Sequence, residues 1–487
     1  MDNPNKSPRK IVVIGAGISG LSCAYRINQL AEKAGLKIEI SVLEASPRAG
    51  GKIITDRSGG ILTEGGPDSF LTLKPEAENL VKELGLEKDL IPANQKLSRV
   101  WINDKNKLYP LPKGTGLIPS KIIPFLFSNL LSFSGRLRVI AEPWVSPKLG
   151  DEDESLASFI SRRMGPEFLQ KIADPILSGI YAAPSEQISL LSTFPHLREM
   201  EKRGGIFQSL SKSKPGKVVF ATLKDGLSSL SNALAQNLPG KALKRDSPVL
   251  SIQREHRGWA VKTPREIFLA DSVILAVPAN SASLLCADFS PEISSALSEI
   301  PFTSSVVVNL VYSRKSVKHS LKGYGFVSVQ NGSSLMAATF SSSKFPHRSN
   351  SDKALIRVFF REKSPSGEEL ISKNEDAIAK IAHQELAPVL GLRSSPEEFR
   401  VYKWMKAHPV YCVGHGLRMK RIESCLKDLP GIFLAGSSYY GIGLPDCIRS
   451  GQKAAEESVQ FLKNRHNKNP YVLQSMEASP SCSPTRN

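Results

Sequence analysis

The sequence contains little cysteine, and its cysteines are far apart. Six occur in 487 residues, and no two form the C-x-x-C pair that is typical of zinc and redox sites. Their spacing does not resemble the disulfide framework of a small secreted domain. We therefore expect no metal site and no disulfide scaffold, in a chain that works in a reducing compartment.

No uninterrupted apolar run is long enough to cross a membrane. The most apolar stretch, residues 117–133, reads LIPSKIIPFLFSNLLSF and is interrupted by prolines, a lysine and an asparagine. A transmembrane helix needs about 20 predominantly apolar residues. The first ten residues are polar and lack the apolar core of a signal peptide. These features predict a cytoplasmic protein.

Acidic residues are in the minority. The chain has 64 Lys and Arg against 46 Asp and Glu, a formal net charge of +18. This balance favours anionic partners, but no RNA-binding motif accompanies it, so we expect no nucleic acid. The basic residues around 117–133 leave two interpretations open for that stretch: a segment in an anionic membrane interface, or a buried helical layer over a substrate pocket. The first would make the protein peripherally membrane-associated.

The most informative motif lies within residues 11–44. An apolar run, IVVI, leads into Gly15-Ala16-Gly17-Ile18-Ser19-Gly20, which has the G-x-G-x-x-G spacing of a dinucleotide-binding fold. The first glycine allows the turn, the second lets the pyrophosphate approach the backbone, and the third lets a helix pack closely. A helix over 21–34 and a strand over 38–43 follow. Glu44 then ends the strand and can accept both hydroxyls of a ribose, which disfavours NADP.

The residues after Glu44 distinguish a flavin from a nicotinamide cofactor. Glu44-Ala45-Ser46-Pro47-Arg48-Ala49-Gly50-Gly51-Lys52 resembles the E-x(3)-R-x-G-G-[KR] extension of the FAD-dependent amine oxidase and porphyrinogen oxidase superfamily. Arg48 can approach the diphosphate as a cation, and the two glycines allow the backbone to run beneath the flavin. The resemblance implies a non-covalently bound FAD.

The overall pattern predicts an α/β fold: a discontinuous, Rossmann-like FAD-binding domain of the amine oxidase type, a β-sheet substrate domain and a helical insertion. We expect a hairpin over 96–109 that turns at Asn103-Asp104, a helix over 167–177 before a loop, and a last helix from Cys447. The predicted segments are a basic lead (1–10), the first FAD-binding part (11–75), the helical insertion (76–215), the second FAD-binding part (216–290), the substrate sheet domain (291–424), the third FAD-binding part (425–463) and a disordered tail (464–487).

The C-terminal stretch narrows the resemblance. Residues 431–451 read GIFLAGSSYYGIGLPDCIRSG. Together with the N-terminal motif, they resemble the oxygen-dependent protoporphyrinogen oxidase family, which also contains coproporphyrinogen III oxidases. The FAD-binding residues that the two resemblances imply are Gly15, Ala16, Gly17, Ile18, Ser19, Gly20, Glu44, Ala45, Arg48, Gly51, Lys52, Gly66, Pro67, Asp68, Ser69, Val249, Gly436, Ser437, Ile442, Gly443 and Leu444.

The same resemblance implies a site for a porphyrinogen substrate. Its residues are Arg99, Gly179, Phe326, Met336 and Phe359. Arg99 matches an arginine that holds a propionate, although a surface cation in a basic stretch would look the same. The hydrophobic residues match apolar walls around the macrocycle, although plain core residues of strands are an equal alternative.

Two stretches depart from the family pattern. Relatives carry a glycine-acid pair where this chain has Ala183-Pro184-Ser185, and a V-F-V-G-G run where it has Val358-Phe359-Phe360-Arg361-Glu362. Both changes leave the shape of the substrate pocket open. Neither affects the flavin-binding motifs.

The implied activity is the six-electron oxidation of a porphyrinogen in three flavin cycles, with O2 as the acceptor and H2O2 released. Because the cofactor performs the chemistry, no catalytic side chain is predicted. The rival functions are an amine or carotenoid oxidoreductase and a flavin-bound membrane scaffold without turnover. The apolar residues of 326–340 suit vinyl groups, which favours protoporphyrinogen over the tetracarboxylate coproporphyrinogen. Both a monomer and a homodimer are compatible with the sequence.

Overall fold

The structure is a computed structural model that describes residues 8–111, 129–212, 219–330, 332–362 and 369–467. Its strands are β1 (Arg9–Ile14), β2 (Ile38–Leu43), β3 (Thr55–Ser58), β4 (Ile61–Glu64), β5 (Phe70–Leu71), β6 (Leu90–Pro92), β7 (Val100–Asp104), β8 (Lys107–Pro110), β9 (Phe220–Leu223), β10 (Leu243–Lys244), β11 (Ser251–Glu255), β12 (Gly258–Lys262), β13 (Ile267–Ala270), β14 (Ser272–Leu275), β15 (Phe302–Ser313), β16 (Gly325–Ser328), β17 (Leu335–Phe340), β18 (Lys353–Arg361), β19 (Glu398–Pro409) and β20 (Ile432–Leu434). Its α-helices are α1 (Ile18–Ala34), α2 (Glu76–Glu83), α3 (Phe133–Ile140), α4 (Leu156–Met164), α5 (Pro166–Phe168), α6 (Asp174–Tyr181), α7 (Leu190–Thr193), α8 (Pro195–Lys202), α9 (Ile206–Lys212), α10 (Ser228–Gln236), α11 (Ala279–Cys286), α12 (Pro291–Ser298), α13 (Ser341–Lys344), α14 (Glu375–Leu390), α15 (His415–Lys427) and α16 (Leu444–Asn467).

A parallel sheet with the strand order β10-β2-β1-β14-β20 forms the centre of the dinucleotide-binding part. Its strands come from the beginning, the middle and the end of the chain. Parallel strands are covered on both faces, and residues 11–14 of β1 are accordingly no more than 4% exposed. The predicted α/β fold with a discontinuous dinucleotide-binding domain is confirmed.

The last helix, α16, packs against α1. An added Cβ on Gly451 of α16 would lie 2.1 Å from the carbonyl oxygen of Ser19 in α1, so the two backbones meet closely. α16 begins at Leu444 rather than at Cys447, because Pro445 suits the first turn of a helix. It also continues to Asn467, so the predicted disordered tail begins inside a helix; residues 468–487 lie outside the described part.

A second sheet has the order β19-β15-β18-β17-β16-β7-β8 and is antiparallel except where β16 runs parallel to β7. The β7–β8 hairpin was expected in the helical insertion, but it extends this sheet instead. It turns at Lys105-Asn106, with φ of 50° and 64°, and not at Asn103-Asp104. A two-residue hairpin turn needs positive φ at both central positions, and asparagine tolerates that conformation better than most residues.

Helices α3 to α9 form a layer with its own core, in which Phe159, Phe168 and Leu177 are at most 1% exposed. α5, a π-helical turn over Leu169–Ala173 and α6 follow one another without a break. The loop predicted after residue 177 therefore begins inside α6, because Ser178-Gly179 is helical and the helix ends at Tyr181, capped by Ala182 with φ of 51°.

The stretch 117–133, interpreted above either as a membrane-interface segment or as a buried helical layer, lies mostly outside the described residues, which do not include 112–128. Of its remainder, Leu130 and Leu131 are buried, whereas Phe133 is 75% exposed. Within the described ranges, no helix has both the length and the apolar character needed to span a membrane.

Candidate functional site

The glycine loop between β1 and α1 has the geometry that its motif predicts. Gly15 turns with φ of 99°, and a Cβ on Gly20 would lie 1.9 Å from the carbonyl oxygen of Gly15. Gly17 is the N-cap of α1, and a Cβ added to it would have no protein atom within 4 Å. The space beside Gly17 is therefore open to a ligand at the positive end of the helix dipole.

Glu44 lies beside this loop at the end of β2. Its carboxylate accepts hydrogen bonds from the backbone N–H of Ala16 at 2.8 Å and of Ser46 at 3.0 Å. Its side chain is half-buried, and the residue lines the same cavity as Gly17. The carboxylate is fixed in place by these bonds, with lone pairs left to accept from a ribose.

A cavity of about 510 Å³ extends from the glycine loop to the second sheet. It brings together distant parts of the chain, including the Gly50-Gly51-Lys52 turn, α6 and the start of α16. The predicted cofactor residues that line it are Gly15, Gly17, Ile18, Ser19, Glu44, Gly51, Lys52, Gly66, Pro67, Gly436, Ser437, Ile442 and Leu444.

Lys52 places a cation in this cavity. Its Nζ donates to the carbonyl oxygen of Ala407, and burial lowers the pKa of Lys52. No carboxylate of the described chain forms a salt bridge with it. A cation held in this way suits an electron-rich ligand such as a diphosphate or a flavin ring.

The segment before α16 closes one side of the cavity. Asp446 is not a free helix cap, because its carboxylate pairs with Lys74 at 2.7 Å and with Arg449. The Cys447 thiol is buried, and burial raises its pKa to about 11. A protonated thiol is a weak nucleophile, which agrees with a cofactor that is not attached covalently.

Several predicted cofactor residues do not line the cavity. Arg48 donates to the carbonyl oxygen of Ile53 at 3.0 Å and to that of Gly51 at 2.5 Å, so it folds the loop. Asp68 pairs with Lys344 at 3.2 Å, and Val249 lies two residues before β11. The predicted cofactor residues that are absent from the lining are Ala16, Gly20, Ala45, Arg48, Asp68, Ser69, Val249 and Gly443.

The predicted substrate residues separate into two groups. Gly179, Met336 and Phe359 line the cavity. Phe326 is only 1% exposed and lies in the core of the second sheet. Arg99 is exposed at the start of β7, away from the cavity lining, with its guanidinium 5.5 Å from the ring centre of Trp101. Phe326 is thus a plain core residue, and the role of Arg99 stays a prediction.

Sequence reasoning missed polar residues on the floor of the cavity. His408 contacts the Ser305 hydroxyl at 2.8 Å, and burial lowers the pKa of His408 to about 4, so the imidazole is neutral near pH 7. Arg357 donates to the carbonyl oxygen of Gly66, and Trp404 donates to that of Gly65 at 2.9 Å. Arg357 and Trp404 hold the Gly65-Gly66 turn beneath the cavity. Ser305 lies on β15, Arg357 on β18, and His408 and Trp404 on β19. Alternation along these strands was the signal that could have located them.

The residues present fit FAD. The open space at Gly17 fits a pyrophosphate, the Glu44 carboxylate fits a ribose, and Lys52 adds a cation without an acidic partner among the described residues. Bound FAD would supply a two-electron acceptor at this site. No cluster of three metal-ligating side chains occurs in the ranges that the structure covers.

The chain is similar in sequence to known proteins. A family model, flavin containing amine oxidoreductase, matches residues 18–458. A coproporphyrinogen III oxidase of Bacillus subtilis (strain 168) is 32% identical over 471 residues, covering 93% of this chain and 98% of the relative. Protoporphyrinogen oxidase 2, chloroplastic/mitochondrial, of Arabidopsis thaliana is 27% identical over 505 residues, covering 95% and 96%.

A solved structure agrees in fold as well as in sequence. The crystal structure named "Putative protoporphyrinogen oxidase", from Exiguobacterium sp. 255-15, superposes with a TM-score of 0.83 at 30% identity, covering 94% of this chain and 99% of that one. The family match, which begins at residue 18, spans the second sheet and every strand of the first sheet except β1. This chain therefore belongs to the flavin containing amine oxidoreductases, with FAD as its cofactor and porphyrinogen oxidases among its relatives.

Proposed function

We propose that this protein oxidises a porphyrinogen to the corresponding porphyrin in haem biosynthesis, with O2 as the electron acceptor and H2O2 as the second product. The observation that carries the proposal is that one cavity joins the FAD-binding residues to an apolar slot. Val307, Met336 and Phe359 line the slot on the second sheet, and Ile180 lines it from α6. A flexible apolar macrocycle needs such a wall next to the flavin.

The chain's own residues bind and orient the substrate. Gly179 lines the cavity on α6, where an added Cβ would make ordinary van der Waals contact with the Val327 side chain at 3.4 Å. Phe359 and Met336 offer flat and adaptable apolar surface. Such a slot excludes water and holds the ring near the cofactor, which supplies the electron acceptor.

We propose that coproporphyrinogen III is the preferred substrate and that protoporphyrinogen is the less preferred one. The preference for protoporphyrinogen rested on the apolar stretch 326–340, but Phe326, Leu335, Ala338 and Phe340 are at most 4% exposed in the sheet core. Within the stretch 326–340, Met336 alone lines the described cavity. The Bacillus subtilis relative, at 32% identity, is named for coproporphyrinogen, whereas the Arabidopsis one, at 27%, is named for protoporphyrinogen.

Parallel assays test the function and the choice of substrate. The FAD-loaded protein is given each porphyrinogen under air, and the porphyrin formed is measured by its fluorescence. We expect oxidation of both, with the higher kcat/KM on coproporphyrinogen III and with H2O2 formed in proportion. A higher value on protoporphyrinogen reverses the order. If neither porphyrinogen forms porphyrin faster with the enzyme than without it, the proposed function is refuted. Amines and carotenoids are then tested as substrates.

We also propose that the protein is cytoplasmic and touches an anionic membrane surface. Phe133, Trp144 and Leu149 are 75%, 79% and 92% exposed, and they follow the undescribed residues 112–128 in a basic part of the chain. Exposed aromatic and aliphatic side chains next to cations suit a lipid interface. Vesicle binding, described in the Discussion, tests this proposal.

A further inference from the structure

Strand β18 directs alternate side chains towards the cavity. Arg357 and Phe359 line it, whereas Ile356, Val358 and Phe360 lie in the core on the other side. Because side chains alternate along a strand, Arg361 points to the same side as Phe359. Arg361 is the last residue of the strand and lies beyond Phe359 on the cavity side, although it is not itself part of the cavity lining.

The neighbouring strand fixes this position. In the register of β15 against β18, Val307 lies opposite Phe359 and Ser305 lies opposite Arg361. Ser305 and Val307 both line the cavity. Residues directly opposite on antiparallel strands have Cβ atoms about 5 Å apart. The side chain of Arg361 therefore leaves the sheet next to the cavity floor.

The guanidinium of Arg361 is held by neutral oxygens. Nη2 donates to the Ser178 hydroxyl at 2.9 Å, and Nη1 donates to the Gln330 amide oxygen at 2.7 Å. Ser178 immediately precedes Gly179, which lines the cavity. These bonds fix the guanidinium between the second sheet and α6 without neutralising its charge.

No carboxylate within the described ranges forms a salt bridge with Arg361. Asp174 is linked to Arg361 through Gln330, whose amide nitrogen donates to Asp174 at 2.8 Å. The buried Arg163 and Arg348, by contrast, have carboxylate oxygens of Glu142 and Glu64 within salt-bridge distance. Burial lowers the pKa of Arg361, although Asp174 and Glu186 oppose this. The cation is thus partly desolvated and has no salt-bridged acidic partner among the described residues.

We propose that Arg361 binds a carboxylate of the substrate on the cavity side of β18, so that it helps to select a porphyrinogen by its acidic side chains. A guanidinium presents two parallel N–H donors, which match a carboxylate. The inference rests on the proposed function. Arg361 would be a second anchor, at a different edge of the substrate from Arg99. In the register of the sheet, Val100, next to Arg99, is level with Arg357. Arg361 lies four residues further along β18, about 13 Å along the strands.

The experiment compares the FAD-loaded wild type with Arg361→Gln and Arg361→Lys. The matched control is Arg400→Gln, which removes the same charge from an exposed position of the same sheet, beside Asp56 and Arg57 at a separate cavity. Coproporphyrin III, a fluorescent tetracarboxylate, is titrated into each protein for Kd. Coproporphyrinogen III is used for kcat and KM. Flavin content and the thermal midpoint report whether each variant is folded.

We expect Arg361→Gln to raise Kd and KM by about tenfold or more, as loss of a charge-assisted hydrogen bond does, with kcat changed by less than about twofold. Arg361→Lys should be intermediate, and Arg400→Gln should match the wild type. An unchanged Kd in Arg361→Gln with full flavin content overturns the proposal. Equal losses in Arg361→Gln and Arg400→Gln also overturn it, because they show only long-range charge.

Two further outcomes are covered. If Arg361→Gln does not fold, Gln330→Leu replaces it: releasing the guanidinium should raise Kd several-fold, and no change overturns the proposal. If the wild type binds coproporphyrin III through Arg361 but oxidises no porphyrinogen, the proposed function fails while the carboxylate site stands.

Discussion

The glycine loop allows cofactor binding to be separated from folding. Gly17 has φ of −69° and ψ of 176°, an extended conformation that β-branched residues also adopt. A Cβ at this position would meet no protein atom within 4 Å, although the residue lines the cavity. Gly17→Val should therefore leave the apoprotein folded and place a branched side chain where the pyrophosphate approaches.

The expected magnitudes differ strongly between the two states. Without cofactor, losing a flexible glycine stabilises by roughly 0.4–1 kcal/mol, while valine is a poorer N-cap than glycine, at a cost of roughly 1 kcal/mol. The apoprotein should thus change by about 1 kcal/mol or less. With FAD at about 100 times its Kd, the wild type gains about 2.7 kcal/mol from binding, and the variant should lose most of this gain.

The assay measures the thermal midpoint of wild type and Gly17→Val with and without added FAD, together with the bound flavin absorbance. The wild-type midpoint should rise by several degrees with FAD, and that of the variant should not. Gly20→Ala is the matched control, because its Cβ would lie 1.9 Å from the carbonyl oxygen of Gly15 and should destabilise the apoprotein itself. Stoichiometric FAD in Gly17→Val, or an unfolded apo variant, would refute this account of the loop.

Three further predictions follow from particular side chains. Arg99→Ala should lower kcat/KM on a porphyrinogen by about tenfold while the flavin spectrum stays intact; unchanged kinetics would make it a surface cation. Burial, opposed by Arg348, raises the pKa of Glu64 to about 7 from 4.5. The stability of the wild type relative to Glu64→Gln should therefore fall between pH 4.5 and 7 and level off above pH 7. Thermal midpoints of the two proteins that stay the same distance apart across that pH range would contradict this. The protein should bind anionic vesicles less as the salt concentration rises. The double variant Trp144→Ser, Leu149→Ser should bind them less than the wild type at low salt. Equal binding by the two proteins would show that Trp144 and Leu149 do not contact the membrane.

The dinucleotide-binding part could be predicted because its signals are local. β2 has the predicted bounds, Ile38–Leu43. The helix expected from residue 21 begins at Ile18, since the glycine loop already supplies its first turn. In each case, neighbouring residues in sequence determine the conformation, through apolar periodicity or through a glycine that a close contact requires.

Pairings between distant segments could not be predicted in this way. The β7–β8 hairpin has an ordinary hairpin pattern, but only the register of Val100 against Gly325 assigns it to the second sheet. Nothing within a hairpin states which sheet it will extend. The π-helical turn before Asp174 has a sequence pattern that an α-helix would also have. The extension of α6 through Ser178-Gly179 was likewise not visible from composition.

The substrate side of the site was harder to predict than the cofactor side, for a physical reason. FAD is recognised largely by backbone, and backbone that approaches a ligand must be glycine at fixed spacing, which a sequence displays directly. A macrocycle is recognised by whichever face of a strand meets the cavity. In the second sheet both faces are apolar, so hydrophobicity alone did not separate Phe326 in the core from Phe359 at the cavity. Arg357 and Arg361, which alternate with core residues on β18, mark the cavity face. In a sheet covered on both sides, polar residues at every second position therefore indicate a binding face better than hydrophobic residues do.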